Sequence, residues 1–147
     1  MNPFLNLVAG ERYLFQASGN RTFIATFVNR LNSTILLTKY SDEDSRMCGG
    51  VYSYAHNEIL DAFPLSDLIP GQKYRFWYLE KINDENICNV ENQYKVEPEY
   101  YRKSREGIFV EVTDRESLII DTRDNPEHLR MGILTSPLIK FTQIEKL

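Results

Sequence analysis

Cys48 and Cys88 are the only cysteines in the 147-residue chain. Two are too few for a disulfide framework and suit reduced thiols in a cytosolic or nuclear setting. No apolar run approaches the ~18 residues of a membrane-crossing helix. The opening stretch from Met1 to Ala9 lacks the basic segment and apolar run of a secretory signal, so neither secretion by that route nor a membrane span is expected. Histidine is as scarce as cysteine, with His56 and His128 alone. Together with the cysteines they supply the right elements for a zinc site, but no two of them have the close spacing that structural zinc uses.

Catalytic signatures are missing as well. No phosphate loop, dinucleotide glycine fingerprint or calcium loop occurs; Ser41-Asp42-Glu43-Asp44 is acidic but lacks the ligand spacing. Cys48 and His56 could be drawn as thiol nucleophile and base, yet no third residue is placed to orient them. The expectation is a protein that is no enzyme and takes no metal or cofactor. Positive charge is also in deficit: 17 Lys and Arg stand against 21 Asp and Glu, giving a net charge of -4 and a pI near 5.2. A dedicated nucleic-acid binder normally carries the opposite balance. An acidic surface suits a basic partner such as a Lys- or Arg-rich tail.

What is abundant is the aromatic side chain, 12% of the chain, with nine Tyr and eight Phe. That share leans towards β structure. The aromatics enter a repeat: Ala9-Gly10-Glu11-Arg12-Tyr13-Leu14-Phe15 returns as Pro70-Gly71-Gln72-Lys73-Tyr74-Arg75-Phe76. A turn glycine followed by polar/aromatic alternation describes a strand leaving a tight turn, with Tyr13 and Phe15, like Tyr74 and Phe76, on one face. In the first unit strands are expected over Arg12 to Ala17, Thr22 to Val28, Thr34 to Tyr40 and Val51 to Tyr54. Ile59 to Ile69 closes the unit, with Pro64 opening a single helical turn.

The second unit repeats the order. Gly107 to Val112 answers the Phe27-Val28 strand, and Ser117-Leu118-Ile119-Ile120 answers Thr34-Ile35-Leu36-Leu37. Ile133-Leu134, Pro137-Leu138 and Phe141 are matched to Ile59-Leu60, Pro64-Leu65 and Leu68. Between Ile120 and Ile133, Asn125-Pro126-Glu127 suits the start of a brief helix. The shared order predicts two tandem units, residues 1–69 and 70–147, the second carrying an insertion over 81–106 at a hairpin tip, where functional loops and self-association surfaces tend to sit. The fold class expected is mainly β: two tandem SH3-like or Tudor-like small barrels with short helical turns. Tyr13, Phe15, Phe27, Ile35 and Leu37, with Tyr74, Phe76, Phe109, Leu118 and Ile120, should be buried.

Modules that open on a turn such as Pro70-Gly71-Gln72-Lys73-Tyr74 and continue in short strands resemble uncharacterised small proteins of large nucleocytoplasmic DNA viruses, and more broadly tandem Tudor-type folds. The first opening departs from that pattern, with Ala9 for Pro and Arg12 for Lys. The resemblance implies a viral interaction protein acting in the host cytoplasm or nucleus, or carried in the virion.

The chain has more tyrosine than two small cores need, and a buried Tyr requires a partner for its hydroxyl. On such a unit, aromatics at strand ends can hold a basic, or methylated, side chain by cation–π attraction, with acids adding complementary charge. The candidate contacts are Trp77, Tyr78, Tyr52 and Tyr54, backed by Asp42, Glu43 and Asp44. Because Tyr74 and Phe76 face inward, Trp77 should face outward, into an inter-unit seam or a ligand pocket. The alternative is nucleic acid, met by Lys73, Arg75, Lys81, Arg102, Lys103 and Arg105 interleaved with Trp77 and tyrosines. For any single Tyr, plain packing in a core or seam competes with both readings.

Overall fold

The computed structural model describes residues 6–42, 48–81, 100–123 and 132–147. It is mainly β, and the described residues form ten strands: β1 (Arg12–Ala17), β2 (Arg21–Leu31), β3 (Thr34–Ser41), β4 (Cys48–Ala55), β5 (Ile59–Pro64), β6 (Lys73–Lys81), β7 (Tyr100–Val112), β8 (Ser117–Asp121), β9 (Ile133–Pro137) and β10 (Phe141–Lys146). They form two five-stranded antiparallel sheets, ordered β4-β3-β2-β1-β5 and β10-β6-β7-β8-β9. Each sheet is therefore a four-strand meander whose fifth strand returns beside the first. Among the described residues no ladder joins the two outer strands of either sheet, and the only helical elements are single 3-10 turns at His56–Glu58, Leu65–Asp67 and Leu138–Lys140. The segment Asn125-Pro126-Glu127 lies outside the described residues.

The repeat is held by the same bonds in both halves. Gly10 and Gly71 take φ of 87° and 88°, a left-handed conformation that glycine adopts without a Cβ clash. From there the Gly10 N–H donates to the Phe27 carbonyl at 2.8 Å, and the Gly71 N–H to the Phe109 carbonyl at 3.0 Å. The motif tyrosine fastens its own turn: the Tyr13 hydroxyl accepts from the Val8 N–H at 2.7 Å, and the Tyr74 hydroxyl accepts from the Ile69 N–H at 2.9 Å while donating to the Asp67 carbonyl at 2.8 Å. Both tyrosines are buried, and these bonds satisfy their one polar atom. All ten residues expected in the core are buried.

Register fixes the equivalences residue by residue. Phe27 lies opposite Leu37 as Phe109 lies opposite Ile120, and a bulge follows at the same place in both ladders. Ile59 pairs with Ala17 as Phe141 pairs with Tyr78. This corrects the closing match made from sequence. Ile133-Leu134 belongs to β9, the counterpart of β4, and the true counterpart of Ile59 is Phe141. Apolar pairs recur in both neighbouring strands, so composition alone allowed a slip of one element.

The insertion also needs correction. Residues 103–106 are not part of it: they pair with Tyr78 to Arg75 as Arg21 to Ile24 pair with Ala17 to Leu14, and β7 already begins at Tyr100, so residues 100–102 extend the β6–β7 ladder past the point where the first unit turns. Residues 82–99 lie outside the described residues. Tyr101 to Ser104 read as loop because all four are exposed, so hydrophobic alternation never marks them as strand.

The two sheets join through the first sheet's outer face. In β1 Tyr13, Leu14 and Phe15 are all buried, and in β2 Phe23, Ile24 and Ala25 are too. Strict alternation would expose Leu14 and Ile24. Instead they pack into the core of the second sheet with Leu68, Leu138 and Phe141, while Tyr13, Phe15, Phe23 and Phe27 form the other core with Ile35 and Ile59. At the seam's edge the Thr22 hydroxyl donates to the Ile139 carbonyl. Arg12 grips Glu116 through two bonds, Nε to Oε2 at 2.6 Å and Nη2 to Oε1 at 2.8 Å, and its Nη1 reaches Thr26 Oγ1 and the Lys39 carbonyl. A planar guanidinium matched to a carboxylate fixes direction as well as distance.

Ile24→Ala should cost about 2–5 kcal/mol, the range for emptying a packed aliphatic site. Because Trp77, the only tryptophan, belongs to the second sheet, chemical denaturation followed by its fluorescence reads the coupling directly. The fluorescence and circular-dichroism midpoints should fall together; a Trp77 transition left in place would mean that the seam does not couple the halves. Tyr74→Phe should lower stability by about 1–3 kcal/mol, since it leaves the Ile69 and Asp67 backbone groups without their partner.

Candidate functional site

On the first sheet, β2, β3 and β4 bring four rings together. Tyr54 stacks on Phe23 with centroids 4.8 Å apart, Phe23 meets Tyr40 at 5.0 Å, and Tyr40 meets Tyr52 at 4.8 Å. Tyr52 and Tyr54 arrive through the β3–β4 ladder, opposite Leu37 and Ile35. Tyr40 needs a device. Simple alternation after Ile35 and Leu37 would turn residue 39 inward, but the register shifts between Thr38 and Tyr40, and Lys39 takes a φ of 52°. This bulge turns Tyr40 into the cluster.

The polar ends of these rings are linked. The Tyr40 and Tyr54 hydroxyls lie 3.1 Å apart, and Arg21 Nη2 donates to the Tyr54 hydroxyl at 3.0 Å. The Arg21 guanidinium carbon lies 6.0 Å from the Tyr54 ring centroid. Asp42, just past β3, interacts with the Tyr40 hydroxyl; burial first, then the hydrogen bond with Tyr54 and the one with Asp42, push the Tyr40 pKa well above the usual tyrosine range. Glu43 and Asp44 lie outside the described residues. A cation sandwiched between two rings would need their centroids roughly 8 Å apart or more, since it sits at ~4–6 Å from each. These rings touch, so they enclose no cage; Phe23 and Tyr40 are buried in the first core, and only the half-buried Tyr52 and Tyr54 at its edge form a platform that a ligand could reach.

Trp77 and Tyr78 stand elsewhere, on opposite faces of β6. Trp77 faces outward, but not into the seam, which Leu14 and Ile24 fill. The Arg102 guanidinium covers its ring at 3.9 Å, Arg75 approaches at 5.9 Å, and its indole N–H donates to Glu145. Beside it Arg75 bonds Glu106, its cross-strand partner, at 2.8 Å, and Arg102 donates to Gln143. Tyr78 points inward and is buried, its ring edge-on to Phe141. The side of that ring is approached by Lys140 Nζ at 4.5 Å and by the Arg105 guanidinium at 5.7 Å.

The site expected from sequence is thus divided. Tyr52, Tyr54 and Asp42 gather at the β4 side of the first sheet, while Trp77 and Tyr78 belong to two different surfaces of the second. Sequence reasoning left Phe23, Arg21 and Lys140 out of the contact set. The signal for Arg21 was its place at the start of a strand directly after a turn; Lys140 had none, because its neighbour in space, Tyr78, is distant in the chain.

Tyr40 should ionise last in a spectrophotometric alkaline titration. Its raised folded-state pKa gives stability that is complete below the unfolded value near 10 and lost as pH rises through the folded one. Tyr40→Phe should remove the highest-pH step, and Asp42→Asn should move that step down without returning it to the ordinary range, because burial remains. No family model matches the chain, and comparison with curated proteins and with solved structures found no significant match.

Proposed function

We propose that the chain is a non-enzymatic interaction protein, a tandem of two SH3-like or Tudor-like half-open barrels, that recognises a basic segment of a protein partner on the first unit's tyrosine platform. A meander whose last strand returns beside the first after a single 3-10 turn is the connectivity such units use, and both sheets have it. The observation that carries the binding reading is Arg21: a guanidinium already rests on Tyr54, held at the hydroxyl and the ring. A Lys or Arg from a partner would meet the same surface, with Asp42 supplying the opposite charge. Arg21 is exposed and so can be exchanged for an incoming cation.

An open platform senses charge more than shape. Methylated and unmethylated versions of one basic peptide are therefore expected to bind within about threefold of each other, whereas an enclosing cage would separate them widely. In fluorescence-anisotropy titrations with a labelled Arg/Lys-rich peptide, Tyr54→Ala and Tyr52→Ala should each weaken binding about tenfold, and Asp42→Asn should weaken it and flatten the salt dependence. Trp77 emission should stay unchanged, since Arg102 already covers that ring. Basic peptides that fail to bind at low salt, or bind equally to the Tyr54→Ala protein, would remove this function.

A further inference from the structure

The second unit carries a different chemistry on the face where the first carries its platform. By register, Phe23 of the first unit corresponds to Arg105 of the second, Ala17 to Tyr78, and Glu58 to Lys140. Arg105 and Lys140 approach the same tyrosine ring, at 5.7 and 4.5 Å, and among the described residues neither has a carboxylate within ion-pair distance. Two like charges drawn to one ring repel each other. The ring's quadrupole offsets part of that cost, and an anion placed between them would offset much more.

The surface continues along β7. Residues 101, 103 and 105 share one face, successive side chains about 6.8 Å apart at strand spacing. Lys103, directly opposite Tyr78, reaches Glu80 at 3.0 Å and lies 6.0 Å from the ring of Tyr101. Tyr101 is 53% exposed, an aromatic face open to solvent at the end of a row of cations. The fold does not impose this arrangement, because among its described residues the first unit, with the same register, has no pair of cations meeting on one ring.

We propose that this face binds single-stranded nucleic acid, with Arg105 and Lys140 receiving backbone phosphates and Tyr101 stacking on a base. Cations interleaved with an exposed aromatic on an extended strand match the two repeating features of such a polymer, a phosphate and a π-face per nucleotide. A duplex offers the phosphates but withholds the base faces. The acidic balance of the whole chain keeps the footprint to two or three phosphates, so binding is modest, with log K falling against log salt with a slope of about -1.5 to -2. The site is separate from the tyrosine platform, and Tyr54→Ala should leave it intact.

The test is anisotropy of a labelled oligo-dT with the full chain from about 20 to 200 mM salt, a range over which phosphate contacts weaken strongly. A duplex of equal length and heparin serve as competitors. Arg105→Gln and Lys140→Gln should each lower the slope by about 0.7, and Tyr101→Ala should weaken oligo-dT binding roughly tenfold while leaving heparin binding unchanged. These side chains lie outside the cores, and circular dichroism and Trp77 emission confirm that each variant is folded. No oligo-dT binding at the lowest salt, or binding that the Arg105→Gln/Lys140→Gln double variant retains, overturns the proposal. Equal binding of duplex and heparin with no effect of Tyr101→Ala also overturns it, reducing the face to a general polyanion surface.

Discussion

Everything in this molecule depends on one cross-strand pair, Leu14 and Ile24, being buried on the side of its sheet that would otherwise face water. A lone five-stranded sheet of about fifty residues covers one face with its own rings and is marginal. By sending Leu14 and Ile24 into its neighbour's core, the first sheet acquires a second apolar layer and the neighbour acquires a lid. The Arg12–Glu116 pair and the Thr22–Ile139 bond then fix the angle at which the halves meet, through groups that tolerate little sliding.

Much of the fold was legible in the sequence because turn chemistry and alternation are local. Gly10 and Gly71 with their following aromatics marked the strand starts, and β1 was read to its last residue. What escaped was non-local. The closing strands were matched one element out of step because only pairing to β1 and β6 distinguishes Ile59 from Ile133. The outer half of β7 was missed because it earns its place by hydrogen bonding to β6, with no apolar face to advertise it. The candidate site fared likewise: tyrosines were rightly singled out as numerous, but which of them meet depends on a bulge at Lys39 and on a sheet register that composition does not carry.

The division of the aromatics into two settings also has a simple electrostatic basis. Where the first unit places Phe23 against tyrosines, the second places Arg105, and Glu58 gives way to Lys140. One scaffold thus presents an aromatic, acid-flanked surface and a cation-flanked one, at positions related by the repeat. Trp77, between Arg102, Arg75 and Glu145, serves neither surface and instead ties together the exposed side of β6, β7 and β10.

The seam is head-to-tail: the first unit offers the Leu14–Ile24 pair, and the second receives it on the turn holding Leu138 and Ile139. A contact of that kind does not close on itself, and chains sharing it could in principle add end to end without limit. Register shows that neither remaining equivalent of the contact is apolar. The cross-strand pair equivalent to Leu14–Ile24 in the second unit is Arg75–Glu106, an ion pair that would have to be stripped of water to dock. At the opposite end, the turn equivalent to Leu138–Ile139 is His56–Asn57, with Asn57 exposed. Both equivalents of the contact are therefore polar, as the outer faces of terminal solenoid repeats are, and a copy docking there would have to desolvate an ion pair where the seam buries Leu14 and Ile24.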